Sequence, residues 1–182
     1  GRRAPQPVVE ISAVTFRNNP IWQTIHPSSC EEMLPMGVVR EATLLSTVRQ
    51  VVPGVKDVHI TMGGVARFHA VIQIEKRREG DGKQALLAAF ASDKDLKHVV
   101  VVNDDVDIWD PEDVEWAIAT RVQADQDVFI VPGANGSPLE ASHNLRGVSA
   151  KMGIDATYPL HAAEQFRRKS IPWEKIDLSK YV

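Results

Sequence analysis

The period of the hydrophobic positions changes several times along the chain, and each change marks an element. Val8 to Arg17 (VVEISAVTFR) alternates and is rich in β-branched residues before Asn18-Asn19-Pro20 ends it, which predicts a strand. After a loop to Pro35, Val39, Leu44, Leu45, Val48 and Val52 form a helical stripe over Val38 to Val52, stopped by Pro53-Gly54. Val55 to Met62 and Arg67 to Arg77 are strand-like runs on either side of Gly63-Gly64, the composition of a tight antiparallel hairpin. A helix carrying Leu86, Leu87 and Phe90 begins at Asp81 or Gly82 and runs to about Ser92.

His98 to Val102 then presents four consecutive valines. Such a run reads as a strand buried on both faces, typical of a parallel sheet, and is expected at the sheet's centre. Asp110-Pro111-Glu112-Asp113 supplies an N-cap, a proline at the first helical position and acids in the first turn, so Val114, Trp116, Ala117, Ile118 and Val122 continue as a helix. Val128 to Val131 predicts a short strand ended by Pro132-Gly133, and Ala134 to Gly147 a long loop of the kind that often carries function. From Tyr158 onward no period is evident, although Trp173 and Tyr181 suggest a tail that docks on another surface. Strands and helices that alternate in this way predict an α/β fold, three-layer-like, with a mixed, largely parallel central sheet flanked by helices.

Composition narrows the function classes. A chain of 182 residues can bury a core without disulfides or a structural metal. Its 21 basic and 24 acidic side chains are interspersed and give a net charge of -3, which is no footprint for nucleic acid or an anionic membrane. Cys30 is the single cysteine, so a reducing cytoplasm is expected; Gly1 to Val8 lacks an apolar signal core, and the apolar stretches are strand-sized.

Three segments invite a chemical reading. The acidic turn Asn103-Asp104-Asp105-Val106-Asp107 lies where a buried parallel strand meets a helix, the usual ligand edge of an open α/β sheet. Its carboxylates suit a hard cation; equally, Asp is selected in such turns to cap backbone amides, and capping is the favoured reading. Gly80-Asp81-Gly82-Lys83 is a weak phosphate cradle without P-loop spacing, more simply a glycine turn into a solvated lysine. Pro132 to Ser142 (PGANGSPLEAS) can approach a ligand closely, with Leu139 walling an apolar pocket, or is an ordinary surface loop. The six histidines lack zinc-ligand spacing and the serines lack a GxSxG elbow; His59 and His69 sit within strands and read as structural.

Val99 to Arg121 (VVVVNDDVDIWDPEDVEWAIATR), Gly80 to Ala89 (GDGKQALLAA), Gly136 to Ser142 (GSPLEAS) and Ser149 to Thr157 (SAKMGIDAT) together resemble the UbiD family of reversible decarboxylases over most of the chain. The most specific block is the hydrophobic strand, the acidic turn and DVxWAxxTR, here Asp113 to Arg121. Two departures are visible: family members commonly read LDPS where this chain has Leu139-Glu140-Ala141-Ser142, and their acidic turn often begins with Asp where this one has Asn103.

The resemblance implies removal of CO₂ from aromatic, heteroaromatic or α,β-unsaturated carboxylic acids with prenylated FMN, Mn²⁺ and K⁺. It implies that residues 1–160 are the family's C-terminal α/β domain and 161–182 a docking tail. The flavin-binding domain, which in the family carries the catalytic arginine and glutamates, is expected to lie outside these residues, since no E-x-P-x-G-E-like stretch precedes the segment resembling Pro7 to Arg17. The chain alone is therefore expected to be inactive, with no catalytic or metal residue of its own. Its implied partners are the flavin-binding domain of the same polypeptide, a small carboxylic acid and further copies in a homo-oligomer. By position in the matched blocks, Lys83, or failing it Lys94, falls near the cofactor phosphate, and Ser137 and Leu139 line the acid pocket, while Asp104, Asp105 and Asp107 become a structural joint. Two rival readings remain: a transferase using Asp105-Val106-Asp107 as a D-x-D metal site for nucleotide-sugars, and a non-catalytic assembly module docking through Trp173 and Tyr181.

Overall fold

The computed structural model describes residues 5–143, 147–166, 168 and 178–180. Five strands form one sheet in the order β1-β2-β3-β5-β4: β1 (Val55–Ile60), β2 (His69–Ile74), β3 (His98–Asn103), β4 (Val128–Asn135) and β5 (Val148–Ala156). Strands β2, β3 and β5 run parallel, and β1 and β4 close the two edges antiparallel. The four valines of β3 occupy the centre, as a strand buried on both faces must.

Helices α1 (Cys30–Val51) and α2 (Asp81–Ser92) cover one face, where Leu44, Val48, Ile72, Leu86, Val99 and Val101 interlock. The alternate residues of the same strands point the other way. Val71, Val100, Val102 and Ile154 pack there against Val114 and Ala117 of α3 (Pro111–Arg121). The result is three layers, as the alternation of periods predicts.

Two glycines allow close approaches. A Cβ on Gly64, in the 3₁₀ turn Met62–Gly64 that joins β1 to β2, would collide with His69. A Cβ on Gly82, in the first turn of α2, would overlap the Asp155 carboxylate at the end of β5.

The elements differ from the sequence expectation in four places. Val8 to Arg17 forms no strand: residues 5–29 carry no helix or strand, and Val8, Phe16 and Trp22 are exposed. Alternation specifies a strand only where a neighbour supplies the hydrogen bonds, and no strand of this sheet pairs with that segment. Helix α1 begins at Cys30 and continues through Pro35, which lacks an N–H to give Glu31 but sits early enough to leave the rest of the helix intact. Strand β4 runs through Pro132-Gly133 to Asn135; a register shift between Val131 and Ala134, with Gly133 at φ +68, absorbs the proline. Strand β5 has no counterpart in the periodicity, because Lys151 and Asp155 occupy buried positions where a hydrophobic pattern needs apolar ones.

Candidate functional site

At the carboxyl edge of the parallel strands, Asn103, Asp105 and Asp107 of the acidic turn are engaged by the turn's own fold, while Asp104 is exposed. Asn103 ends β3 buried, and its Oδ1 accepts the Tyr158 amide at 2.8 Å. Asp105 forms a two-pronged pair with Arg121, Nη1 to Oδ1 at 3.1 Å and Nη2 to Oδ2 at 2.6 Å; the guanidinium side chain is fully buried. That guanidinium also lies over Trp116 at 4.8 Å and Tyr158 at 5.1 Å. Asp107 caps the Trp109 amide, Asp113 accepts the amide of Asp107, and Asp110 caps α3 through Glu112. The DVxWAxxTR block is thus a unit that folds the turn onto α3, and the D-x-D transferase reading loses its first carboxylate to Arg121. Among the described residues no three His, Cys, Asp or Glu side chains converge as a metal site.

The opposite edge, where β3 and β5 begin, gathers the remaining candidates. Ser137 is buried, whereas Leu139 projects from the loop with 71% of its surface exposed. Between β4 and β5 the loop is tied down by Glu140, whose side chain is 8% exposed. Its Oε1 accepts from Lys97 Nζ at 2.6 Å and from the Ser142 hydroxyl, and its Oε2 accepts from Ser149 Oγ at 2.9 Å. Lys97, then Ser142 and Ser149, outweigh burial and hold this carboxyl down at about 2. Lys151, whose pKa burial lowers, donates its ammonium to the carbonyls of Lys94 and Leu96 and so fixes the strand approach from which Lys97 reaches. Sequence reasoning missed Lys97, Glu140 and Lys151; the departure Leu139-Glu140-Ala141-Ser142 was the available signal.

Helix α2 separates the two alternatives for a lysine near the cofactor phosphate, Lys83 and, failing it, Lys94. Lys83 lies exposed in its first turn at the carboxyl edge, and Lys94 follows its last turn at the opposite edge. Twelve residues of helix span roughly 18 Å, so one phosphate does not reach both. The ammonium of Lys94 is paired with Asp95 at 2.6 Å, and Asp95 also accepts Arg40 at 3.0 Å and Arg67 at 3.1 Å. Lys94 is thus held within an ion-pair cluster, whereas Lys83 stands exposed.

Beneath α3, a cavity of about 590 Å³ is lined by His59, His69, His98, Val71, Ile108 and Trp109. His69 and His98 open neighbouring strands in register and stack at 4.8 Å between centroids. Burial first, then the neighbouring His98 and His59, push His69 down to about 4, and burial also lowers His98. Both Nε2 atoms are buried without a hydrogen-bond partner. The reading of His59 and His69 as strand residues holds, but both also face this cavity.

Residues 34–156 match the family described as the 3-octaprenyl-4-hydroxybenzoate carboxy-lyase C-terminal domain. The chain belongs to this family, the UbiD decarboxylases. It is 48% identical over 169 residues to anhydromevalonate phosphate decarboxylase of Methanocaldococcus jannaschii, covering 92% of this chain and 40% of that protein. Gallate decarboxylase of Lactiplantibacillus plantarum is 37% identical over 185 residues, covering 92% and 38%. The structure of the UbiD-class enzyme HmfF from Pelotomaculum thermopropionicum in complex with FMN superposes with a TM-score of 0.82 at 56% identity, over 90% of this chain and 37% of that one. The chain spans about two fifths of the length of the UbiD relatives it matches. Trp173 and Tyr181, on which the assembly-module reading relied, lie outside the described residues; no helix among the described residues is long and apolar enough to cross a membrane.

Proposed function

We propose that this chain is the closing domain of a non-oxidative decarboxylase of aromatic, heteroaromatic or α,β-unsaturated carboxylic acids, and that it is inactive alone. The observation that supports this most directly is the extended similarity to named decarboxylases, of which the chain matches two fifths. The chemistry of the loop edge agrees. Its buried carboxyl, Glu140, is held at about 2 by Lys97, Ser142 and Ser149, so it is ionised near neutral pH and carries no proton to give a carbanion-like product. On this reading the proton donor lies in the flavin-binding region, together with the prenylated FMN, Mn²⁺ and K⁺. When bound there, the cofactor supplies the electron sink for CO₂ loss. This domain supplies a wall: Ser137 beneath, Leu139 projecting, and Lys94, rather than Lys83, on the same edge. Closure of such a wall excludes water from the reaction. We further propose a cytoplasmic homo-oligomer; a UbiD-class relative of known structure is described as an evolved dimeric form.

The test compares the isolated chain with the chain joined to its flavin-binding region, both supplied with prenylated FMN, Mn²⁺ and K⁺. Gallate, 3,4-dihydroxybenzoate and anhydromevalonate phosphate serve as candidate acids, and CO₂ release is measured. Release by the joined polypeptide and none by the isolated chain is the expected result. Activity of the isolated chain, or none in either form, overturns the proposal.

A further inference from the structure

Building on the decarboxylase reading, we infer that the Lys97–Glu140 ion pair is a positioning device that sets where Leu139 stands and thereby which acids the pocket accepts. Residues 136–143, which follow β4, belong to no helix or strand, so their placement depends on what their side chains hold. At its base the Gly136 amide donates to the Gly147 carbonyl at 3.0 Å. Further out, the Leu139 amide donates to Ser137 Oγ at 3.3 Å, and the Glu140 amide donates to the Ser137 carbonyl at 3.2 Å. Pro138 and Leu139 are thus an exposed pair between buried Ser137 and Glu140, and the position of Leu139 follows these two anchors.

Glu140 is the neighbour tied to the sheet. Lys97 reaches it from the residue immediately before β3, and that residue is immobilised on three sides. Its amide donates to the Phe68 carbonyl at 2.9 Å, its carbonyl accepts the Met152 amide at 2.8 Å, and Lys151 grips the carbonyls of Lys94 and Leu96 beside it. Ser142 Oγ lies 2.6 Å from the same ammonium, so one cation gathers both ends of the turn that follows Leu139. The central strand is the rigid reference and the ion pair transmits its position to the loop. Neither Lys97 nor Glu140 needs to touch substrate; Leu139 does, through an apolar contact made equally in ground and transition states.

The variants Lys97→Met and Glu140→Gln test this in the flavin-bearing polypeptide, with Lys97→Arg as the conservative partner. The expected result is a KM for ring-bearing acids raised about tenfold with kcat within about twofold, the pattern of lost uniform binding. Lys97→Arg is expected to retain the parent values. In the 182-residue chain, amide hydrogen exchange of residues 137–143 should accelerate in Lys97→Met while that of β3 stays unchanged. Unchanged loop exchange overturns the claim that the pair holds the loop. Faster loop exchange with unchanged KM overturns the claim that the held loop selects substrate. If the unsubstituted polypeptide releases no CO₂, the decarboxylase reading fails and substrate selection fails with it, whereas the exchange result still decides whether the clamp exists.

Discussion

Removing the Asp105 carboxylate should strand a buried cation. The Arg121 side chain is fully buried, and Asp105, 34% exposed, supplies the carboxylate for both of its terminal nitrogens at 3.1 and 2.6 Å. Breaking one side of a buried pair typically costs 3–5 kcal/mol; partial exposure of Asp105 admits water to the vacated space, so Asp105→Ala is set at the low end, about 3 kcal/mol. For a chain of this size each kcal/mol moves Tm by about 2–4 °C, which predicts a fall of about 6–12 °C. Asp104 is exposed in the same turn, and Asp104→Ala should stay within about 0.5 kcal/mol.

The double variant Asp105→Ala with Arg121→Met removes the stranded charge and leaves an apolar side chain between Trp116 and Tyr158, so it should recover most of the loss. Thermal unfolding followed by circular dichroism at neutral pH reads all three. Equal effects of Asp104→Ala and Asp105→Ala, or a loss below about 1 kcal/mol for the latter, would refute the counter-ion role. A rise in Tm on adding Mn²⁺ that disappears in Asp105→Ala would restore the metal reading instead.

Acid should destabilise the chain through its stacked histidines. His69 is held near 4 in the fold against an ordinary value of 6.5, so between those values the unfolded state takes up a proton that the folded state refuses. Stability is complete above this window and falls as pH drops through it; Tm measured from pH 7 to pH 4.5 should decline, with a shallower slope in His69→Gln, and identical slopes in the two proteins would count against burial as the cause. Gly82→Ala should lower stability by about 1–3 kcal/mol despite alanine's better helix propensity, because the new methyl overlaps the Asp155 carboxylate. Denaturant titration checks it against Gln84→Ala, an exposed site of the same helix; a neutral or stabilising Gly82→Ala would disprove the close approach.

Where local sequence and tertiary environment agree, the fold was legible. The four valines of β3 need burial on both faces and have it, and Asp110-Pro111 caps α3 with the acceptor and the φ angle that its sequence supplies. Legibility failed where the environment overrides the pattern. Lys151 and Asp155 are buried in β5 because carbonyls of the Lys94–Leu96 segment and the amide and hydroxyl of Thr157 satisfy them, and such partners lie far off in sequence or are invisible to periodicity. Val8 to Arg17 fails in the opposite sense: its pattern is that of a strand, but the sheet of this chain offers it no edge.

The same contrast governs the site. In an open parallel sheet the carboxyl ends of the strands hold the ligand, and that rule drew attention to the acidic turn. Here the edge strand β4 returns antiparallel to β5, so the long connection between them emerges where β3 and β5 begin. Asp105, Asp107 and Asp155 at the customary edge are spent on Arg121, on a cap and on Thr157, and Asp104 alone of the acidic turn stays exposed without a hydrogen bond among the described residues to organise it. The other edge keeps what a ligand can use: an exposed leucine on an anchored loop and, on the face beneath α3, a cavity with two imidazoles whose Nε2 atoms have no partner. A motif that is specific in sequence is therefore compatible with a purely structural role, because a bidentate guanidinium–carboxylate pair between stacked rings constrains residue type as tightly as catalysis does. Glu140 leaves a fainter trace in the chain, because the partners that hold it, Lys97 and Ser149, stand 43 and 9 residues away and share no motif with it.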